Sequence, residues 1–123
     1  MFKILVVDDE RYSRKLLREI IEEFIDDVFI FEACDVKEAI ELIENNTPDL
    51  LITDYKLGGS NGIDICKIIK TDRKYEHIKT ILLTGIMYED IKADSWCLDS
   101  YIAKPYDEDN LINVINTLRD VRG

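Results

Sequence analysis

The chain has 123 residues, enough for one domain that buries about two-thirds of the surface its unfolded form exposes, so folding needs no disulfide or metal. Hydrophobic residues make up 46%, which excludes a disordered chain. With 26 Asp+Glu against 16 Lys+Arg, the formal net charge of −10 argues against direct nucleic-acid binding and against docking on an anionic membrane, and favours divalent cations and basic partners.

Lys3 to Val7 reads as a first strand, too short an apolar run for a signal-peptide core or a membrane span. From Arg11 to Ile25, Leu16, Leu17, Ile20, Ile21, Phe24 and Ile25 recur at helical spacing and mark an amphipathic helix. Val28 to Ala33 is a second strand. Asp35 is the expected N-cap of a helix running to about Asn45, with Glu38 completing a capping-box-like pair. Thr47-Pro48-Asp49 breaks the chain, and Leu50 to Thr53 is a third strand. A glycine-rich loop, Gly58-Gly59-Ser60-Asn61-Gly62, leads into a helix from Ile63 to about Thr71 with Ile65, Ile68 and Ile69 inward. Thr80 to Thr84 is a fourth strand, Tyr88 to Leu98 a weaker helix and Tyr101 to Ala103 a fifth strand. Pro105 stops that strand, and a last helix from about Glu108 turns Leu111, Ile112, Ile115 and Leu118 inward.

Strands and helices alternate, and strands one, three and four are apolar on successive residues, as strands buried on both faces are. The expectation is a single-domain α/β fold over residues 1–123, an open parallel sheet with helices on both sides. Cys34, Cys66 and Cys97 are an odd number without CxxC spacing, which points to a reducing, cytoplasmic setting and to cysteines acting as small buried hydrophobes. The lone His77 has no nearby thiol to build a zinc site with.

In such sheets the chemistry sits at the carboxyl ends of the strands. Strand one ends in Asp8-Asp9-Glu10, strand three in Asp54, strand four in Thr84-Gly85 and strand five in Lys104-Pro105. Asp8 and Asp9 could serve only as helix caps, but that reading explains neither Asp54 nor Lys104. Two unit charges 4 Å apart repel by about 4 kcal/mol at an effective dielectric of 20. Three converging carboxylates therefore call for protonation, a cation or a metal, and an all-oxygen set suits Mg²⁺.

These strand ends resemble those of the receiver domains of two-component response regulators, the CheY-like family. The resemblance rests on the acidic pair after strand one, Leu51-Ile52-Thr53-Asp54, Leu82-Leu83-Thr84-Gly85 and Tyr101-Ile102-Ala103-Lys104-Pro105, and covers essentially the whole chain. It implies a doubly wound, flavodoxin/CheY-like (βα)5 sheet of order 2-1-3-4-5. It also implies roles. Asp54 is the phosphoacceptor. Asp9 and Asp54 bind Mg²⁺ directly, Asp8 binds it largely through water, and the backbone carbonyl of Lys56 completes the set. Lys104 pairs with a phosphoryl oxygen and precedes a cis proline bond. Thr84 and Tyr101 form the switch pair, which remodels a face built from helix four, strand five and helix five. The implied partners are a sensor histidine kinase or histidine phosphotransfer protein, and a downstream protein target or fused effector domain, with homodimerisation on phosphorylation. On this reading the chain is a switch with self-directed phosphotransfer and autodephosphorylation, not an enzyme acting on other substrates.

The chain departs from the common family pattern in places. Leu57-Gly58 stands where Met-Pro is frequent, Asn61-Gly62 replaces Asp-Gly, and Cys97-Leu98 replaces Gly-Ala. Lys56 and Ile86, each two residues past a key position, are expected to tune dephosphorylation. The main alternative is a pseudo-receiver, a phosphorylation-independent interaction module, but such a chain usually lacks an acidic-pair member, the acceptor or the lysine. An aspartyl-phosphate phosphatase would carry an Asp where Lys56 stands. An FMN carrier would not place Asp8-Asp9-Glu10 in its phosphate loop. A start at Met1 and a last helix near the chain end suggest a stand-alone regulator or an N-terminal receiver.

Overall fold

The computed structural model describes residues 1–121; the last two positions of the expected 1–123 domain lie outside the described residues. The elements follow in the order β1 (Phe2–Val7), α1 (Arg11–Phe24), β2 (Val28–Ala33), α2 (Val36–Asn46) and β3 (Leu50–Asp54). A two-strand ribbon of β4 (Lys56–Leu57) and β5 (Ser60–Asn61) leads into α3 (Gly62–Lys70) and β6 (Lys79–Thr84). Then come α4 (Tyr88–Ile91), a 3₁₀ segment (Lys92–Cys97), β7 (Ser100–Ala103) and α5 (Glu108–Asp120). One five-stranded parallel sheet has the order β2-β1-β3-β6-β7, which is the expected 2-1-3-4-5 once its own strands are counted.

The continuous apolar runs are explained by two hydrophobic layers. Successive residues of a strand point to opposite faces. Leu5, Val7, Leu51 and Leu82 enter the layer that includes Ala39 and Ile43 of α2 and Ile65 and Ile69 of α3. Ile4, Val6, Ile52, Ile81 and Leu83 enter the layer that includes Leu17, Ile20 and Ile21 of α1 and Leu111 and Ile115 of α5. Each such side chain contributes about 1.5–3 kcal/mol when fully buried, so the central strands are fixed from both sides.

Some local expectations change. Leu16, Phe24 and Ile68 are exposed, because the apolar stripes on α1 and α3 are wider than the faces they bury. Glu10, not Asp8 or Asp9, caps α1, its carboxylate accepting from the Tyr12 and Ser13 amides. Asp35 caps α2 as expected, and Glu38 reaches back one residue further, to the Cys34 amide at 2.8 Å. The glycine-rich loop closes the β4–β5 ribbon, with Gly58-Gly59 as its turn and Ser60-Asn61 as its second strand. The helix expected over Tyr88–Leu98 is a single α-helical turn followed by the 3₁₀ segment. Ile91 and Cys97 are buried there, but Asp94 and Ser95 occupy the i+3 and i+4 positions where a core-facing helix needs apolar residues. No described helix is long and apolar enough to cross a membrane.

Candidate functional site

Sheet register brings the expected residues to one edge. Val7 pairs with Thr53, so Asp8 and Asp54 emerge side by side at the ends of β1 and β3. Asp54 lies opposite Leu83 of β6, one residue before Thr84, and Thr84 pairs with Ala103, one residue before Lys104. Carboxylate oxygens of Asp8, Asp9 and Asp54 lie within 4.8 Å of one another. Lys104 Nζ donates to Asp54 Oδ2 at 2.9 Å, and the Tyr55 amide donates to Asp54 Oδ1 at 2.8 Å. The Lys104–Pro105 peptide is cis.

The three acids differ in exposure. Asp8 is buried, Asp54 is half-buried and Asp9 faces solvent. Burial pushes the Asp8 carboxyl up, opposed by the Glu10 amide at 2.9 Å and reinforced by the Asp54 charge. Arg14 donates to the Asp8 carbonyl at 2.8 Å and pairs with Glu32, tying the end of β1 to β2. Three carboxylates and one ammonium leave a surplus of negative charge presented entirely by oxygen. That donor set fits a hard divalent cation such as Mg²⁺ better than a softer metal.

The β4–β5 ribbon folds over this cluster. Gly58 takes the left-handed φ of 63°, and a Cβ there would come 3.9 Å from Asp9 Oδ2. Lys56 lies in β4 with its side chain exposed, and its backbone pairs with Asn61. Gly62 donates its amide to the Tyr55 carbonyl at 2.8 Å. A Cβ on Gly62 would fall 2.1 Å from the Asp54 carbonyl oxygen and 2.6 Å from Thr53 Oγ1, so only glycine fits. The Asn61-Gly62 pair is visible in the sequence as a turn, but its role as the seat of Asp54 requires the fold.

Thr84 and Tyr101 are joined through Ile86. The Ile86 amide donates to Thr84 Oγ1 at 3.0 Å, and its carbonyl accepts from the Tyr101 hydroxyl. Tyr101 also meets Tyr88 edge to face, with centroids 5.8 Å apart. No sequence signal marks this link, because it runs through the backbone of an apolar residue. Beside the acidic cluster, a groove of about 520 Å³ is lined by Asp8, Ser13, Leu17, Leu83, Lys104 and Tyr106, among others. The α1 surface also gathers Arg11, Arg14, Lys15 and Arg18, a basic group not expected from the sequence. Arg14 and Arg18 pair with Glu32, Arg18 also with Glu22, and Lys15 with Glu19, so much of that charge is neutralised.

Residues 4–116 match the model of the response regulator receiver domain. Sensory transduction protein LytT of Bacillus subtilis is 30% identical over 98% of this chain; the chain spans about half of its length, 49%. Sporulation initiation phosphotransferase F of the same organism is 31% identical over 92% of this chain and 90% of its own length. The response regulator TrrA of Thermotoga maritima, crystallised in complex with Mg(2+)-BeF, superposes with a TM-score of 0.85 at 32% identity, covering 96% of this chain and 99% of that one.

Proposed function

The chain belongs to the response regulator receiver domains, and from that premise we propose that it accepts a phosphoryl group on Asp54 and passes the change to the α4–β7–α5 face through the Thr84–Ile86–Tyr101 link. The observation that carries this reading is the Asp54 carboxylate, held by Lys104 on one oxygen and the Tyr55 amide on the other, beside two further acids.

The donor is a phosphohistidine on a sensor kinase or phosphotransfer protein, approaching over the groove beside Lys104. An Asp54 carboxylate oxygen attacks phosphorus; the new P–O bond forms as the P–N bond to histidine breaks, and the imidazole leaves. Phosphoryl transfer of this kind needs positioning and charge neutralisation more than covalent machinery. Asp8, Asp9, Asp54 and the Lys56 carbonyl would hold Mg²⁺, which when bound offsets charge on the phosphoryl oxygens. Lys104 leaves its carboxylate partner to pair with a phosphoryl oxygen.

The product adds about −1.5 to −2 charge at a strand end. Thr84 Oγ1 is the acceptor for the Ile86 amide. When its hydroxyl turns to donate to the phosphoryl group, the Ile86 backbone loses that anchor and the carbonyl that holds Tyr101 shifts with it. This biases an existing equilibrium between two arrangements of the α4 face. Water later hydrolyses the acyl phosphate, and Lys56 and Ile86 tune that rate. The output is a protein target or an effector domain of a longer chain, with homodimerisation on phosphorylation, and the domain itself binds no nucleic acid.

The direct test is intact-mass spectrometry after incubation with a small acyl phosphate and Mg²⁺. One added phosphoryl group, lost in Asp54→Ala and without metal, is the expected result. An unlabelled wild type, under conditions that label another receiver, would overturn the reading. Size-exclusion chromatography with and without a phosphoryl mimic reads the dimer.

A further inference from the structure

The seam between α3 and the 3₁₀ segment carries chemistry that the phosphoacceptor reading leaves unused. Lys67 Nζ on α3 pairs with Asp94 Oδ1 at 2.8 Å, and Lys70 Nζ pairs with Asp99 Oδ2 at 2.9 Å. At this seam Cys66 of α3 and Cys97 are both fully buried in the same hydrophobic layer, and each thiol is the main influence on the other's titration. Cys97 Sγ donates to the Asp94 carbonyl at 3.0 Å, which fixes the thiol at the end of the 3₁₀ segment.

We propose that Cys66 and Cys97 form an oxidation site, closing to an intramolecular disulfide that fastens the 3₁₀ segment Lys92–Cys97 to α3. The oxidant is hydrogen peroxide. The Cys97 thiolate attacks one peroxide oxygen, the O–O bond breaks, and a sulfenic acid and hydroxide result; the hydroxide takes up the thiol's proton as water. The Cys66 sulfur then attacks the Cys97 sulfur, the S–O bond breaks, and the hydroxyl leaves with the Cys66 proton as a second water. The cysteines lose two electrons and two protons, and peroxide is reduced to two waters.

The pair is ordered for these roles. The Cys66 thiol holds the Cys97 thiol below its ordinary value, with its own backbone amide and the Lys67 charge adding to the effect against burial. Cys66 is pushed up and stays a thiol until the second step. Thiolate character selects the first nucleophile. Access comes from the segment itself: α4 and the 3₁₀ turn have no side-chain cap at either start, so local opening there is inexpensive. In a reducing compartment such a bond forms transiently and reverts. Cys34, half-buried after β2 at the opposite edge of the sheet, is the internal comparison.

The test is titration of the full chain with hydrogen peroxide, followed by alkylation under denaturing conditions and peptide mapping. The expected result is loss of two hydrogens, a linked peptide joining Cys66 and Cys97, and one alkylated thiol at Cys34. The same link forms in Cys34→Ala and disappears in Cys97→Ala. Amides of residues 88–97 then exchange with solvent at least about tenfold more slowly in the oxidised protein. Oxygen adducts without the link, links through Cys34 alone, or no reaction at the pair would overturn the proposal. Unchanged exchange in the linked form would overturn the fastening. If Cys97→Ala fails to fold, mapping in Cys34→Ala still decides, since it leaves the buried pair intact. None of these readouts depends on phosphorylation of Asp54.

Discussion

The acidic end of β1 and β3 and the α4–3₁₀ segment are neighbours held by different means. Leu5, Leu51, Ile52 and Leu82 are fully buried, so the strands that carry Asp8, Asp54 and Thr84 are clamped between two hydrophobic layers. The α4 segment has one helical turn, no side-chain cap, and exposed Met87, Tyr88 and Trp96. Rigid support suits a group that must hold a reacting carboxylate in place. A loosely held segment suits a readout, because a few hydrogen bonds can shift it. On the proposed function, then, the chemistry sits on strands buried from both sides and the response on a short, uncapped segment, joined through the Ile86 backbone.

The largest effect is expected where the rigid side has no tolerance. Gly62→Ala puts a Cβ 2.1 Å from the Asp54 carbonyl. In most helices the change to alanine stabilises; here it is expected to cost about 3 kcal/mol and to displace the acceptor. Denaturant unfolding and phosphoryl labelling check both. A neutral or stabilising result would mean that the β4–β5 ribbon yields easily, and the contrast between the two regions would fail.

Lys104→Met separates charge from support. It removes the cation on Asp54 Oδ2 while Asp54 Oδ1 keeps the Tyr55 amide. Labelling by a small phosphodonor is expected to slow about 100-fold, with the fold retained by circular dichroism. An unchanged rate would assign Lys104 a structural role only.

Tyr101→Phe probes the loose side. It deletes the hydroxyl on the Ile86 carbonyl and keeps the ring against Tyr88. A loss of about 1 kcal/mol is expected, with faster hydrogen exchange confined to residues 86–91 and Asp54 labelling unaltered. Faster exchange spreading into β3 would show that the two regions are not mechanically separate.

The same contrast governs what the sequence discloses. Strands buried on both faces leave uninterrupted apolar runs, so β1, β3 and β6 and the residues ending them are readable. Asp8, Asp54, Thr84 and Lys104 need only the strand order to converge. What stays hidden depends on backbone geometry or on the absence of packing. Gly62 looks like any turn glycine until the Asp54 carbonyl is seen against it. Ile86 acts through its amide and carbonyl, which every residue has. The break after Ile91 follows from polar Asp94 and Ser95 standing at the core-facing i+3 and i+4 positions, a weak signal beside the helical look of Tyr88–Leu98. Cys66 and Cys97 share one hydrophobic layer from separate elements, and spacing alone does not connect them.

The smallest effect tests how the rigid side is fastened to the sheet edge. Glu32 of β2 accepts from Arg18 at 2.6 Å and from Arg14 at 3.0 Å, and Arg14 in turn holds the Asp8 carbonyl. The Arg18 hydrogen bond, helped by Arg14 and opposed by burial, sets the Glu32 carboxyl below its ordinary value of 4.5. A carboxylate whose folded-state value is depressed binds protons more readily unfolded than folded. Its stabilisation is therefore fully present above the unfolded value and is lost as pH falls through the lower folded value. Because the group is partly exposed, solvent screening keeps the contribution to about 1 kcal/mol or less. Glu32→Gln should lower stability by that amount at neutral pH, and the gap from wild type should close in acid, below the ordinary carboxylate range. Urea unfolding across that range measures it. A gap that persists at low pH would show that Glu32 acts through neutral hydrogen bonding and packing, and the Arg14 tether to Asp8 would then survive its protonation.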